Sequence, residues 1–165
     1  MQMGLQFGLD KADTCYKRKY RWLFIINDIS ASGVNSLPPL KSARPNISFK
    51  ESEVQHLTET IYYAGKPEWK PVNLTLYDLK RNQHPVFEWL KKLYDPQQVV
   101  WKYNNISFKK NCKLELLDGC GAVMERWIFE NAWPQTVEFG ELDMSSSDIV
   151  TADITLRYDR AYIEY

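Results

Sequence analysis

The chain has 165 residues, enough for one ordinary domain that buries roughly two-thirds of the surface its unfolded form exposes. Lysine plus arginine number 21, as do aspartate plus glutamate, so no overall field draws the protein to nucleic acid or to an anionic membrane, and any contact with DNA has to be local or indirect. Aromatic residues are in surplus, with 7 Phe, 6 Trp and 10 Tyr making 14% of the chain, which suits a bulky β core or the seams between protein subunits.

The opening stretch MQMGLQFGLDKADTCYKRKYRW lacks the basic-then-apolar order of a secretory signal. No apolar run approaches the roughly 20 residues that span a bilayer, so a soluble, unsecreted protein is expected. Residues 1–20 read as an arm of a single domain, 1–165, with no role assigned to them. Within and just beyond this arm, Lys17, Arg18, Lys19 and Arg21 interleave with Tyr16, Tyr20 and Trp22. That pattern suits a nucleic-acid strand, or else an interface or solvated strand edge, and the zero net charge favours the second.

YRWLFIIND, residues 20–28, is an apolar run of strand length closed by the turn-forming Asn27-Asp28. ISASGVNSLPPLKSARP follows as a loop in which Pro38-Pro39 excludes a helix. NISFKESEVQHLTETIYY is a second extended stretch, expected to stop at AGKPEWKP, where a glycine and two prolines force a connection. VNLTLYD alternates cleanly: Val72, Leu74 and Leu76 point one way, Asn73, Thr75 and Tyr77 the other.

In HPVFEWLKKLYDP the period changes. Pro85 suits a first helical turn, and Val86, Phe87, Leu90, Leu93 and Tyr94 make one apolar stripe, predicting the principal helix over 86–94 with Trp89, Lys91 and Lys92 largely off the stripe. QQVVWKYNNISFKK reads as loop or strand. CKLELLDGCGAVMERWIFEN places two apolar runs around Asp118-Gly119, a hairpin signal. The last alternation sets Val150, Ala152, Ile154, Leu156 and Tyr158 against Thr151, Asp153, Thr155, Arg157 and Asp159. Leu74, Leu76, Ile154 and Leu156 are therefore expected in the core of a single β-rich domain with one flanking helix.

Catalytic chemistry finds little to work with. His56 and His84 are the two histidines, and neither has the neighbours that nucleophilic or acid-base catalysis needs. Cys15, Cys112 and Cys120 are odd in number and lack close pairing, so they read as small hydrophobes rather than as zinc ligands or disulfides. DGCGAV lacks the lysine and helix start of a phosphate cradle and reads as a turn. The pairs Glu51 with Glu53 and Glu138 with Glu141 lie in polar segments and read as solvated. Asn46-Ile-Ser48, Asn73-Leu-Thr75 and Asn105-Ile-Ser107 match the glycosylation pattern and are discounted for want of an export signal. No catalytic residue, metal ligand or cofactor is expected.

SARPNISFKESEVQHLTETIYYAGKPEWKPVNLTLYD resembles the front half of the tail tube proteins of contractile-tailed bacteriophages, where an Arg-Pro strand leads through an extended excursion to AGKPEW and LTLYD. VFEWLKKLYDP is similar to the family's single helix, KLELLDGCGAVMERWIFENAWP to its hairpin, and VEFGELDMSSSDIVTADITLRYD to its closing strand. The resemblance covers most of residues 40–160 and departs most in the first 20. It implies a mainly β, tail-tube-like fold, a β-barrel or sandwich with one flanking helix, assembled as a hexameric ring. Stacked rings would form a hollow tube inside a contractile sheath and conduct double-stranded DNA without specific binding.

The implied partners are further copies of the chain and the sheath, baseplate and tape-measure proteins, in a virion tail assembled in the host bacterial cytoplasm. A baseplate tube-initiator, a tube cap, and a type VI secretion-like tube or effector carrier share the fold and stay open. Within that frame the polar strand faces, Asn73 and Thr75 with Thr151, Asp153 and Thr155, are expected to line the channel or else to face solvent outside the ring. Residues 45–70, carrying Tyr62, Tyr63 and Trp69, are expected to bridge one subunit or ring to the next.

Overall fold

The computed structural model describes residues 17–27, 39–78, 85–102 and 108–165. Cys15, Tyr16, His84, Asn105 and most of the loop after Asp28 lie outside the described residues. Eleven strands and one helix are described: β1 Trp22–Ile26, β2 Pro39–Ser42, β3 Ile47–His56, β4 Glu59–Trp69, β5 Val72–Tyr77, α1 Pro85–Leu93, β6 Tyr94–Asp95, β7 Val100–Trp101, β8 Lys110–Leu117, β9 Val123–Glu138, β10 Thr151–Arg157 and β11 Arg160–Glu164.

The main sheet runs β1-β8-β9-β10-β5-β2, with β11 added alongside β9, and the pairings are antiparallel. The 16-residue β9 is the hinge of this architecture. Its first part pairs with β8 and β11, its second with β10, so one strand belongs to both layers of a sandwich. The layers do not close into a barrel, which settles the barrel-or-sandwich expectation for the sandwich. The change of layer is built at Asn131, whose backbone takes a left-handed φ of 54°, a conformation asparagine tolerates better than most residues. Its amide donates to the Asn111 side chain at 3.2 Å and its side chain donates to Asp159 at 2.9 Å. Pro134 follows opposite Leu156, beside the register shift between Thr155 and Leu156, a bulge being where a sheet tolerates proline.

The core lies between the layers. Phe24 and Ile26 of β1, Cys112, Leu114 and Leu116 of β8 and Phe129 of β9 face Val72, Leu74 and Leu76 of β5 and Ile154 and Leu156 of β10. The two alternating strands are thus read in the correct register, and Leu74, Leu76, Ile154 and Leu156 are each at most 2% exposed. The Asp118-Gly119 hairpin forms as expected between β8 and β9, with the Asp118 carboxylate accepting from the amides of Cys120 and Ala122 at 2.8 Å each.

Three expectations are corrected and one open reading, the third below, is resolved. The helix spans Pro85–Leu93, with Tyr94 already in β6, and its buried residues are Val86 and Trp89. Trp89 therefore lies on the core face, one helical turn from Val86, and its indole N–H donates to the Phe108 carbonyl at 2.5 Å. Second, AGKPEW is strand, not connection: β4 continues through it to Trp69, and the reversal falls earlier, at the two residues Leu57-Thr58. The glycine and proline sit at a bulge in the β3–β4 ladder, where a Cβ on Gly65 would stand 2.6 Å from the Lys50 carbonyl oxygen. Third, part of the ambiguous stretch after α1 is β7, paired with β6, whose turn is held by Asp95 accepting from the amides of Gln97 and Gln98. Fourth, the chain does not end its sheet with β10, since β11 follows it and returns along β9.

Candidate assembly surfaces

The outer face of the β2-β5-β10-β9 layer is polar along its whole width. Register pairs Thr75 with Asp153 and Asn73 with Thr155, and Thr151 with Tyr77 one step further. The Thr75 hydroxyl donates to the Asp153 carboxylate, and the Thr155 hydroxyl donates to the Asn73 side-chain oxygen at 3.1 Å. All five residues expected on one polar wall are thus brought to adjacent positions of a single face. The structure adds three that the sequence reading missed: Lys41, opposite Thr75 on β2, and Thr136 and Glu138, opposite Thr155 and Asp153 on β9. Their signal was the alternation Thr136-Val137-Glu138, with Val137 turned inward against the core, but only the pairing tells which strand they join. A transverse row Lys41, Thr75, Asp153, Glu138 results, crossing four strands.

The second surface is the β3–β4 hairpin, which forms its own two-stranded sheet outside the sandwich. Tyr62 and Tyr63 are adjacent in β4 and so project from opposite faces; they are 61% and 56% exposed. Trp69 behaves differently. It is half-buried at the root of the hairpin and packs against Tyr158, ring centroids 6.0 Å apart, so within this chain it anchors the hairpin to the core. Tyr158 completes the anchor by donating its hydroxyl to the Lys70 carbonyl at 2.8 Å. Phe49, Val54 and Ile61 on the same hairpin are also exposed.

A third site gathers charge. Glu125 on β9 is buried, and it accepts from the Lys17 ammonium, from the Trp127 indole at 2.5 Å, and faces Arg44 at 3.8 Å. Burial pushes its carboxyl up, and the hydrogen bonds and charges of these partners outweigh that, holding it below the usual glutamate value. The arrangement ties the segment before β1 to the sandwich. It offers no nucleophile. Cys112 is enclosed in the core, where burial pushes its thiol up and leaves it unreactive. His56 sits exposed beside Leu57 at the end of β3. Among the described residues no group of three or more His, Cys, Asp or Glu side chains is placed to hold a metal ion.

The chain is thus a two-layer sandwich with a projecting hairpin, one flanking helix and a polar face bonded across its strands. The sequence matches the family model described as T4-like virus tail tube protein gp19 over residues 18–162, and the chain belongs to that family of contractile-tail tube proteins. No curated protein matches the sequence at a significant level. Among solved structures, the fold is similar to a chain of the sheath-tube complex of the extracellular contractile injection system PVC in its extended state, at 20% identity and TM-score 0.70 over 90% of this chain and 91% of that one. It is similar to the tube-terminating cap of the anti-feeding prophage at 21% identity and TM-score 0.73, over 98% and 99% of the two chains. Hcp1 from Salmonella typhimurium shares the fold more loosely, at 14% identity and TM-score 0.52 over 87% and 85%. The chain is a structural tail tube protein of contractile, phage-like systems.

Proposed function

We propose that this chain closes into six-membered rings that stack as a hollow tube, with the polar wall of β5 and β10 turned to the channel. The observation that carries the reading is the wall itself. Asn73, Thr75, Thr151, Asp153 and Thr155, joined by Lys41, Thr136 and Glu138, present a broad hydrophilic face on a layer whose other side is fully committed to the core. A wet conduit needs such a surface, as barrel interiors do. With Arg157, which alternates onto the same face at the end of β10, the wall carries two cations against two carboxylates, so it lacks the cluster of cations that would grip a passing polyanion.

On this reading the tube conducts double-stranded DNA, works within a contractile sheath on a baseplate, with a tape-measure protein in its lumen during assembly, and is put together in the cytoplasm of a bacterial host. The subunit performs no catalysis. Tyr62 and Tyr63, on opposite faces of the hairpin, serve contacts between copies. The similarity to a tube-terminating cap across nearly the whole of both chains supports a second reading, a protein of the same fold that ends the tube. Electron microscopy of the purified protein tests both. Six-fold rings that stack into tubes support the tube subunit, rings that never stack support the cap, and monomers at every concentration refute both.

A further inference from the structure

Two features of the chain play no part in the account above: the cations before β1 and the connection between β9 and β10. That connection alternates acid and apolar residues in Glu141-Leu142-Asp143-Met144 and closes on Asp148-Ile149. From residue 127 to residue 156 the chain has no lysine or arginine. Leu142 is 84% exposed, and Met144 and Ile149 are exposed as well. The turn that carries them is built: the Asp143 carboxylate accepts from the Ser145 amide at 2.9 Å and from its hydroxyl at 2.7 Å, and the Ser146 hydroxyl donates to Asp148 at 3.1 Å. Among the described residues, none of Glu141, Asp143 and Asp148 is held by an ion pair. Exposed apolar side chains gathered in one place and rimmed by charge mark a contact surface.

The complementary surface lies elsewhere on the sandwich. The strand path ends at β1 on one side and β2 on the other, and these two edges come near each other without pairing. Between them opens a cleft lined by Trp22, Leu40, Leu114 and Leu116, with Arg18 and Lys19 at its mouth. Lys17 and Arg44 also border it, and both are engaged by Glu125. Lys41 borders it too but belongs to the polar wall. Among the described residues, Arg18 and Lys19 have no carboxylate partner. An apolar slot with unneutralised cations at its mouth is the inverse of the loop.

Position in the layer decides whose cleft the loop fills. The wall layer runs β9-β10-β5-β2, so the loop leaves at the β9–β10 edge while the cleft lies beyond β2, at the opposite edge. Three strand spacings, about 14 Å, separate the two edges, and the tight turn at Asp143 and Ser146 keeps the loop at its own. Register sets loop and cleft at one height: Ala152, just after the loop, pairs with Leu76, and Leu76 pairs with Pro39, the neighbour of Leu40. When copies stand side by side with their walls turned to one channel, the β9 edge of one meets the β2 edge of the next. Loop and cleft then face each other across every seam.

We propose that the β9–β10 loop of one copy seats Leu142 and Met144 in the β1–β2 cleft of its neighbour in the ring, where Glu141, Asp143 and Asp148 meet Arg18 and Lys19. The contact sets one surface against a different one, so it repeats by rotation until the ring closes. It rests on the reading of the chain as a ring-forming subunit and names the residues of the seam. Methionine suits the slot, because its unbranched thioether adapts to an irregular gap.

The test exchanges the charges. Glu141→Lys with Asp148→Lys makes a basic loop and spares Asp143, which builds the turn; Arg18→Glu with Lys19→Glu makes an acidic socket and leaves Lys17 and Arg44 on Glu125. Like charges juxtaposed at an interface cost enough that each variant alone should need at least about tenfold more protein to form rings than wild type. An equal mixture should recover rings in which the two variants alternate, since every loop then meets a socket of opposite sign. Circular dichroism before mixing establishes that each variant is folded. A second measurement is independent of charge: Met144→Cys in one preparation and Leu40→Cys in another, both also carrying Cys15→Ser and Cys120→Ser, should give a covalent dimer with a short bismaleimide only when mixed.

If wild type forms rings, and either both charge variants form them equally well or the cysteine pair does not link, the seam is overturned while the ring reading stands. Folded variants that fail alone and fail when mixed overturn the pairing of loop with socket. So do variants that form single rings and only fail to stack, which would place the contact between rings. Should the acidic-socket variant form rings normally but lose a double-stranded DNA probe that wild type retains, the cleft serves a polyanion instead. If wild type forms no rings at any concentration, the ring reading fails and the seam falls with it.

Discussion

Trp89 offers the sharpest measure of how α1 is held. The helix has nine residues, two and a half turns, and it commits two side chains to the core, Val86 and Trp89. Trp89 is 2% exposed and packs in the same cluster as Phe24, Leu74 and Ile154. Replacing it by alanine deletes a whole indole from a close-packed interior and should cost about 3–5 kcal/mol. For a chain of this length, that lowers Tm by roughly 6–20 °C.

Trp89→Phe separates the two parts of the loss. It keeps most of the apolar volume but removes the donor that satisfies the Phe108 carbonyl, and should cost about 1–3 kcal/mol. Urea unfolding of both variants followed by far-ultraviolet circular dichroism, with the dependence on denaturant unchanged, gives the two differences directly. A loss below about 1 kcal/mol for Trp89→Ala would refute the placement of this residue in the core. Equal losses for the two variants would refute the division between packing and hydrogen bond.

Three further outcomes follow from the structure. Gly140 has a φ of 76°, and a Cβ there would stand 2.5 Å from the Thr151 carbonyl oxygen, so Gly140→Ala should destabilise by about 1–3 kcal/mol in thermal unfolding, and a neutral result would refute the turn geometry. Glu125 is held below the usual glutamate value, and a depressed carboxylate contributes stability above its unfolded pKa and loses it as pH falls through the folded one. Glu125→Gln should thus cost about 1–3 kcal/mol near neutral pH, with the gap to wild type closing below about pH 4; a gap that persists undiminished to about pH 3 would contradict the ion-pair account. Thr151→Lys with Thr155→Lys would place twelve new cations on the lumen wall of each proposed ring, and such particles should pass DNA more slowly at low salt and recover at high salt. Assembled particles that eject DNA at the wild-type rate at low salt would show that these two positions do not line the channel.

The parts of this fold legible in the sequence are those where one strand has one buried face. β5 and β10 alternate without interruption, and a slip of one residue would have turned Leu74 and Ile154 to solvent, so their register was fixed by pattern alone. Trp89 misled because a short helix needs only an i, i+3 pair to dock, and the apolar stripe through Phe87, Leu90 and Leu93 was broader than the face that is buried. The hairpin misled for a different reason. Leu57-Thr58 carries none of the Asn, Gly or Asp chemistry that marks a two-residue turn, while Gly65 and Pro67, read as a break, serve a bulge. β9 could not be read as one strand serving two layers, since its bend at Asn131 is held by Asn111 and Asp159, partners distant in sequence. The five wall residues were legible individually; that Lys41 and Glu138 join their row depends on pairings between strands far apart in the chain.

The wall's own hydrogen bonds bear on what a conduit of this kind can do. Polar side chains that line a channel solve one problem, keeping it wet, and create another, since each free donor or acceptor is a place for cargo to stick. Here Thr75 spends its hydroxyl proton on Asp153, and Thr155 spends its own on Asn73. Two hydroxyl donors on the face are therefore already occupied by neighbours across the strand pair. Along the transverse row, Asp153 and Glu138 stand directly opposite each other, with Lys41 at the far end. Phosphate oxygens are acceptors too, so on the proposed reading the Thr75 and Thr155 hydroxyl protons are withheld from a passing duplex, and two carboxylates per subunit repel it. On that same reading, pairing these two donors internally lowers friction with no need for an apolar lining that would dewet the channel.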